Sequence, residues 1–405
     1  MKFIDGGVCA AKGFRASGIH VGVKTSNLDK KDLALIVADC DCAAAAVYTK
    51  NIVKAAPLLV TMEHLKNGRA RAVIANSGNA NACAPQGEEN AERTCGALAS
   101  ALDLHADDVI VASTGVIGQK LPVEVIENGI PELVSKLSYS GSQDAATAIM
   151  TTDVTMKECA AEVNIGGKIV RIGGVAKGSG MIHPNMGTML AFLTTDCAIS
   201  SEMIHKALLN AARVSFNRIS VDGDTSTNDM LCLLASGMSG NDGISGEGDD
   251  LNAFSAALEE VCVKLAIMLA ADGEGATHLI TCRVSRARSQ AEAEALSKAV
   301  ISSTLTKAAI FGADANWGRV LCAMGYSGVD FDPDSVDVAF ESTAGRVTVC
   351  ENGRGLSFDE ALAKSILTEH DITIDIAMDA GTEECTCWGC DITYDYIKIN
   401  GDYRT

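Results

Sequence analysis

The segment "PNMGTMLAFLTTD", residues 184–196, places a hydroxyl group where a strand of the protein core is expected to begin. Its proline, asparagine and glycine favour a tight turn, and the apolar and β-branched run after Thr188 predicts a buried strand. Valine or isoleucine would be buried there at a lower cost than threonine. Thr188 is therefore a candidate nucleophile, and the alternative is that it is only the first residue of the strand.

A threonine hydroxyl is a poor nucleophile unless a base takes its proton, and one known base is the free α-amine of the same threonine. Thr188 would have to become the first residue of a chain. Attack of its hydroxyl on the Gly187 carbonyl would give an ester by an N-to-O acyl shift, and hydrolysis would free the amine. Glycine at 187 offers no side chain to obstruct the attack. The segment is therefore compatible with self-cleavage between Gly187 and Thr188, and equally with Thr188 as the plain first residue of a strand.

A second motif, "STGVIG" (residues 113–118), ends an apolar run that reads as a strand. Successive backbone N–H groups at Thr114 and Gly115, with the threonine hydroxyl beside them, have the donors that bind an oxyanion. The alternative is an ordinary turn. The chain has no G-x-S-x-G elbow and no H-x-x-x-H pair, which argues against a conventional Ser-His-Asp enzyme.

Strands and helices alternate along the chain with mostly short connections, which predicts an α/β or layered α+β fold. The order of the strands does not follow from the sequence. The predicted helices cover residues 89–102, 201–216 and a long amphipathic stretch from 251. The predicted strands include two short strands within 33–49, one strand in 71–83, one in 108–121 and a final strand at "TYDYIKI", 393–399.

Composition limits the kinds of partner. The chain has 405 residues and a net charge of −19, which argues against nucleic acid and anionic membranes as partners. The N-terminal residues contain no apolar signal core and no apolar run is long enough to span a membrane, so a cytoplasmic protein is expected. The 15 cysteines are then interpreted as reduced thiols, most of which fill the core. Cys385, Cys387 and Cys390 form a C-x-C-x-x-C pattern that can bind metal, but no second ligand pair has zinc-like spacing.

The segment "KGSGMIHPNMGTMLAFLTTD" (177–196) resembles the self-processing segment of the ornithine acetyltransferase family of arginine biosynthesis, also called glutamate N-acetyltransferase. The resemblance extends over essentially the whole chain. The blocks that carry it, in the expected order, are "KGFRASGIHVGVK" (12–24), "AVIANSGNANAC" (72–83), "ASTGVIG" (112–118), "IMTTD" (149–153), "FNRISVDGDTSTND" (216–229), "DGEGATHL" (272–279), "FGADANWGR" (311–319) and "TYDYIKINGDYRT" (393–405).

The resemblance implies roles for individual residues. Thr188 would be the autoprocessing residue and the nucleophile, and Thr114 and Gly115 would form the oxyanion hole. The cation Lys177 suits a substrate carboxylate and the anion Glu274 suits an ornithine amine, although the resemblance does not settle which residue holds which end of the substrate. The residues implied to line the substrate pocket are Thr151, Lys177, Thr188, Glu274, Asn400 and Thr405.

The resemblance also implies a four-layer αββα core of the ornithine acetyltransferase and aminopeptidase type, cut into intertwined chains 1–187 and 188–405. These chains would pair into an α₂β₂ heterotetramer. The implied reaction moves the acetyl group of N-acetylornithine to glutamate through an acetyl-Thr188 ester, without metal or cofactor, and acetyl-CoA is open as a second donor. The family usually has alanine where this chain has Gly187, and His183 is interpreted as a turn residue. An N-terminal-nucleophile aminopeptidase or amidohydrolase, and a metal-storage protein, remain as alternatives.

Overall fold

The computed structural model describes residues 1–26, 28–183 and 189–402. The chain divides into two compact units, and each is formed by several separate segments. The first unit comprises Met1–Gly178, Pro184–Asn217 and Thr225–Leu269, and the second comprises Ser179–His183, Arg218–Asp224 and Ala270–Thr405.

The first unit is a mixed β-sheet with helices. Its strands are β1 (Lys2–Ile4), β2 (Phe14–Ile19), β3 (Leu33–Tyr48), β4 (Arg69–Asn76), β5 (Val109–Ser113), β6 (Lys157–Ile165), β7 (Lys168–Lys177), β8 (Leu190–Thr195) and β10 (Met230–Ala235). Its helices are α1 (Ala56–His64), α2 (Gly87–Leu102), α3 (Val123–Ser135), α4 (Ser142–Ala148), α5 (Ser201–Val214) and most of α6 (Asp249–Ala271).

The sheet of the first unit is buried on both faces. Its strand order is β1-β6-β7-β8-β10-β3-β4-β5, and β2 also pairs with β3. Along β3, Leu33 and Leu35 belong to one apolar cluster, and Ala34 and Ile36 belong to another. Because successive side chains of a strand point to opposite faces, this alternation places a core on each side of the sheet.

The prediction of two short strands within 33–49 is wrong, because β3 is continuous. Its first half pairs with β2 and its second half pairs with β10. The more exposed residues between the halves include Asp39 and Asp41, and the register with β4 shifts between Val37 and Cys42. The polar interval that marks this change of neighbours has the composition of a break between two strands. The other predicted elements of this unit coincide with β4, β5, α2, α5 and α6.

The second unit has its own mixed sheet, in the order β14-β13-β12-β15-β11-β16-β9. Buried residues of this sheet, such as Ile280 and Ile374, share one apolar cluster with Leu296 and Val300 of α7. The strands are β9 (Ile219–Ser220), β11 (Leu279–Ala287), β12 (Asp337–Ser342), β13 (Gly345–Glu351), β14 (Arg354–Gly355), β15 (Asp371–Ala377) and β16 (Glu383–Cys390). The helices are α7 (Gln290–Ser302), α8 (Thr304–Phe311), α9 (Trp317–Gly325), α10 (Glu360–Leu367) and α11 (Tyr394–Gly401).

The final strand predicted at 393–399 is also wrong, because this segment forms helix α11. Its tyrosines and isoleucines favour a strand when their propensities are considered alone. In the helix, Tyr396 and Asn400 are four residues apart and therefore lie on one face. Their side chains make hydrogen bonds to Asp222 and Glu274, and these tertiary contacts override the local preference.

The predicted α/β fold class is confirmed by sheets and helices in both units. The division at residue 187 into two covalent fragments stays a prediction, since compact units and cleavage products are different divisions of a chain. Among the described helices, none combines the length and hydrophobicity that crossing a membrane requires.

Candidate functional site

Three residues predicted to act in the site lie together in the first unit. Lys177, the last residue of β7, is 7% exposed. Its ammonium donates hydrogen bonds to the hydroxyl oxygen of Thr151 at 2.8 Å and to that of Thr114 at 3.2 Å. A buried cation is thereby held beside the residue predicted to belong to the oxyanion hole.

The loop at Thr114 and Gly115 offers fewer hydrogen-bond donors to an oxyanion than the sequence predicts. The N–H of Thr114 already donates to the carbonyl of Asn76 at 2.9 Å. The Thr114 hydroxyl accepts from Lys177 and keeps its own proton to donate. The N–H of Gly115 has no hydrogen-bond partner among the described residues. An oxyanion would therefore be bound by the Thr114 hydroxyl and the Gly115 N–H.

Position 115 requires glycine. Its φ of +133° lies in a region that other residues rarely adopt. A Cβ atom there would lie 2.3 Å from the carbonyl carbon of Gly78. The close approach of these two loops orients the Gly115 N–H.

The buried side-chain amides of Asn228 and Asn76 make hydrogen bonds to Ser113, the residue before Thr114. Asn228 donates from Nδ2 to the carbonyl oxygens of Ala80 at 2.6 Å and Ser113 at 2.8 Å. The Ser113 hydroxyl donates to Oδ1 of Asn76 at 2.6 Å. Sequence reasoning did not select Asn228 or Asn76. The available signal was their position in the polar blocks "STND" and "IANSGN" at strand ends.

A buried ion pair lies next to Lys177. Nζ of Lys157 donates to Oδ1 of Asp153 at 2.8 Å, and both side chains are fully buried. Asp153 also accepts from the Gly178 N–H at 2.6 Å, and its Oδ2 lies 3.9 Å from Nζ of Lys177. Burial by itself raises the pKa of Asp153, but Lys177 and Lys157 lower that pKa by more. The carboxylate is ionised and anchors the end of β7.

A second buried carboxyl group belongs to Asp229, the residue directly before β10. Leu190, the first residue of β8, pairs with Lys177 on one side and with Met230, the residue after Asp229, on the other. Asp229 is 2% exposed, and within the described residues its Oδ2 accepts no hydrogen bond. Burial raises the pKa of Asp229 well above its ordinary value, although the Ser226 hydroxyl and Lys177 oppose the rise. Sequence reasoning missed this acid too.

The second unit brings together two other predicted residues. Nδ2 of Asn400 on α11 donates to Oε2 of Glu274 at 2.8 Å. Glu274 is 7% exposed, and its N–H donates to the Ser179 carbonyl at 2.9 Å. A Cβ atom at position 180 would lie 2.3 Å from the Glu274 carboxylate, so Gly180 allows the close approach. Glu274 and Asn400 form one polar cluster.

Three predicted residues, Gly187, Thr188 and Thr405, lie outside the described part of the chain. His183 is described: its Nδ1 lies 3.0 Å from the Ser220 hydroxyl, and burial together with Lys298 lowers its pKa to about 4. The cysteines of the C-x-C-x-x-C pattern are buried in β16, in the packing role predicted for them.

Buried, hydrogen-bonded polar side chains at the ends of strands in an α/β fold are the arrangement typical of enzymes with small-molecule sites. Residues 15–405 match the model of the ArgJ family. The chain is 48% identical over 406 residues to the arginine biosynthesis bifunctional protein ArgJ of Caldanaerobacter subterraneus, with 100% of both chains covered. The Symbiobacterium thermophilum protein of the same name is also 48% identical over 406 residues, with the same coverage.

A crystal structure of the ArgJ protein from Bacillus halodurans, 41% identical, matches with a TM-score of 0.51 over 53% of this chain and 99% of that chain. The chain belongs to the ArgJ family. Membership confirms the resemblance to the ornithine acetyltransferases of arginine biosynthesis and the predicted enzyme class.

Proposed function

We propose that the protein transfers the acetyl group of N-acetylornithine to glutamate through an acetyl ester on Thr188. The observation that carries this proposal is the Lys177 ammonium, which is buried and bound to the Thr114 hydroxyl beside the Gly115 N–H. Donors and a positive charge that are fixed in a water-poor site stabilise an oxyanion without reorganisation during the reaction. Acyl transfer is a reaction in which such an oxyanion forms, on the carbonyl oxygen that is attacked.

In the first half-reaction, the α-amine of Thr188 takes the proton of the Thr188 hydroxyl, and the oxygen attacks the acetyl carbonyl carbon. The Thr114 hydroxyl and the Gly115 N–H bind the resulting oxyanion. The tetrahedral intermediate then collapses, the C–N bond to ornithine breaks, and the ammonium of Thr188 returns its proton to the leaving amine. Ornithine leaves and acetyl-Thr188 remains.

In the second half-reaction, the neutral amine of glutamate attacks the ester carbonyl, and the same donors bind the second oxyanion. The C–O bond to Thr188 breaks, and the threonine oxygen recovers a proton that the glutamate nitrogen releases. N-acetylglutamate leaves and the enzyme is regenerated. Neither half-reaction needs a metal or a cofactor. We propose that acetyl-CoA can also acetylate Thr188, because a thioester presents the same carbonyl to the same nucleophile.

The residues proposed to bind the substrate include both a cation and an anion. Lys177 with Thr151, and Glu274 with Asn400 and Thr405, supply groups of opposite charge for a substrate that carries both a carboxylate and an amine. Glu274 is an anion suited to an ornithine ammonium. The Thr151 hydroxyl accepts a hydrogen bond from the Lys177 ammonium and so fixes its direction.

This mechanism requires cleavage between Gly187 and Thr188, which creates the α-amine. One comparison supports this cleavage. The Bacillus halodurans chain is matched over 99% of its own length, yet it covers only 53% of this chain. A fragment that begins at residue 188 would contain a similar share, 405 − 187 = 218 of the 405 residues. Denaturing electrophoresis and mass spectrometry should show fragments of 187 and 218 residues. Thr188→Ala should remain a single chain, and an active wild-type enzyme without a break would refute the mechanism.

A direct test of the intermediate uses the cleaved enzyme and N-acetylornithine without an acceptor. We expect one acetyl group, about 42 Da, on the fragment 188–405 only, and peptide mapping should locate it on Thr188. Thr188→Ser is the matched variant that keeps the hydroxyl. A fragment that stays unmodified without an acceptor, in an enzyme that forms N-acetylglutamate once glutamate is added, would show direct transfer in a ternary complex instead.

The alternative is an N-terminal-nucleophile hydrolase, and the products distinguish the two. With glutamate present, the proposed transferase releases N-acetylglutamate, whereas a hydrolase releases acetate. A parallel assay with acetyl-CoA as donor decides whether this chain catalyses both acetylations. We also propose that the two fragments remain associated and pair into a cytoplasmic α₂β₂ assembly, for which light scattering should give twice the mass of 42.1 kDa.

A further inference from the structure

Asp222 accepts hydrogen bonds from two separate segments of the second unit. Its Oδ2 accepts from the N–H of Met181 at 2.6 Å and from the hydroxyl of Tyr396 at 3.3 Å. Its Oδ1 accepts from the N–H of Ile182 at 2.9 Å and from the N–H of Asp224 at 3.2 Å. Both oxygens are therefore occupied by groups that are distant in sequence, and sequence reasoning gave this residue no role.

One of these segments, residues 181–183, comes directly before the stretch that contains the predicted cleavage site. The Ile182 carbonyl accepts from the Val221 N–H at 2.6 Å, so both backbone polar groups of Ile182 are fixed. Met181 has a φ of +56°, which costs a side-chain-bearing residue free energy. Such a conformation persists only where the surrounding contacts enforce it, and the bonds to Asp222 are these contacts.

The other segment is helix α11, which carries Asn400. Asn400 donates to Glu274 at 2.8 Å and to the Tyr396 carbonyl at 3.0 Å. A Cβ atom at Gly275 would lie 2.8 Å from the Tyr396 backbone, so the helix packs closely on the Glu274 loop. The Tyr396 hydroxyl, bound to Asp222, fixes the rotation of α11 about its axis and with it the direction of Asn400.

We propose that Asp222 is a positioning residue that connects the segment before the cleavage site to the helix that holds Asn400 against Glu274. It would serve self-cleavage through the Met181 and Ile182 N–H groups, and substrate binding through Tyr396. The inference rests on the proposed function. Because the two roles use different hydrogen bonds of one carboxylate, separate variants test them.

The binding role is tested by Tyr396→Phe, with Tyr394→Phe as the matched control. Both changes remove one hydroxyl from α11, but only the Tyr396 hydroxyl contacts Asp222, and the Tyr394 ring keeps its contact with Phe311. We expect Tyr396→Phe to self-cleave like the wild type and to raise KM for N-acetylornithine roughly three- to tenfold, with little change in kcat. Tyr394→Phe should match the wild type. Equal KM values for the two variants would overturn the binding role.

The cleavage role is tested by Asp222→Asn, which keeps the size of the side chain but replaces one acceptor oxygen with a donor. We expect precursor cleavage, followed by electrophoresis after synthesis, to slow at least about tenfold, since a donor then opposes a backbone N–H. A thermal unfolding curve establishes that this variant is folded. Cleavage of folded Asp222→Asn at the wild-type rate would overturn this role. A wild-type chain that never cleaves refutes the proposed function instead, so the two failures are distinct.

Discussion

The ammonium of Lys177 lies 2.8 Å from the hydroxyl oxygen of Thr151 and, on its other side, 3.2 Å from that of Thr114. One cation thus joins two loops that are far apart in sequence. It does so beside Leu190, the residue with which Lys177 pairs at the start of β8. The ammonium, which the proposed mechanism uses near the oxyanion, is therefore positioned by the sheet register.

Lys177→Met should lower kcat/KM for N-acetylornithine by roughly 10²- to 10³-fold, because it removes a fixed charge and frees the Thr114 hydroxyl to rotate. Lys168→Met is the matched control, since Lys168 starts the same strand and is exposed. Steady-state kinetics of the two variants make the comparison. Similar losses in both would show that strand integrity, and not the charge, is responsible.

Thr114→Val should cost roughly 10²-fold or more in kcat, whereas Thr114→Ser should retain most of the activity. Valine has nearly the shape of threonine but no hydroxyl, and serine keeps the donor. The backbone bond from residue 114 to the Asn76 carbonyl is present in either variant. If Thr114→Val and Thr114→Ser have the same kcat, the oxyanion is bound by backbone groups alone.

Lys157→Met should destabilise the protein by about 3–5 kcal/mol at neutral pH, because it leaves a buried carboxylate with one cation fewer. Asp153 has a lowered pKa, so its contribution to stability is present above the ordinary carboxyl pKa and is lost as the pH falls. The difference in unfolding free energy between wild type and variant should therefore shrink on acidification from pH 7. Denaturant titrations at several pH values measure it, and a constant difference would contradict the pairing.

Asp229→Asn should become more stable relative to the wild type as the pH rises. The pKa of Asp229 is raised in the folded protein, mainly by burial, so its favourable contribution is present below the ordinary carboxyl pKa and declines as the pH increases. Asparagine has no such dependence. Melting curves of both proteins from pH 4 to pH 8 should diverge in favour of the variant, and parallel curves would show that Asp229 is ionised without cost.

The sequence by itself determined the family, the enzyme class and most of the elements in the first unit, because amphipathic spacing and apolar runs are local properties. The resemblance also pointed to Thr114, Thr151 and Lys177, whose side chains the structure brings together. Predictions from local preference are wrong at two places. At β3, one strand changes neighbours across a polar interval, and at α11, residues that favour strands form a helix.

Only the tertiary structure decided which polar groups meet. The bond of the Thr114 N–H to Asn76, the burial of Asp153 with Lys157, and the contact of Asn400 with Glu274 join residues from different elements. Asp222 and Asp229 acquire their significance in the same way, one by the four hydrogen bonds it accepts and the other by the partner its Oδ2 lacks among the described residues. Hydrogen bonds and desolvation depend on distances in space, and strand register and helix packing set these distances.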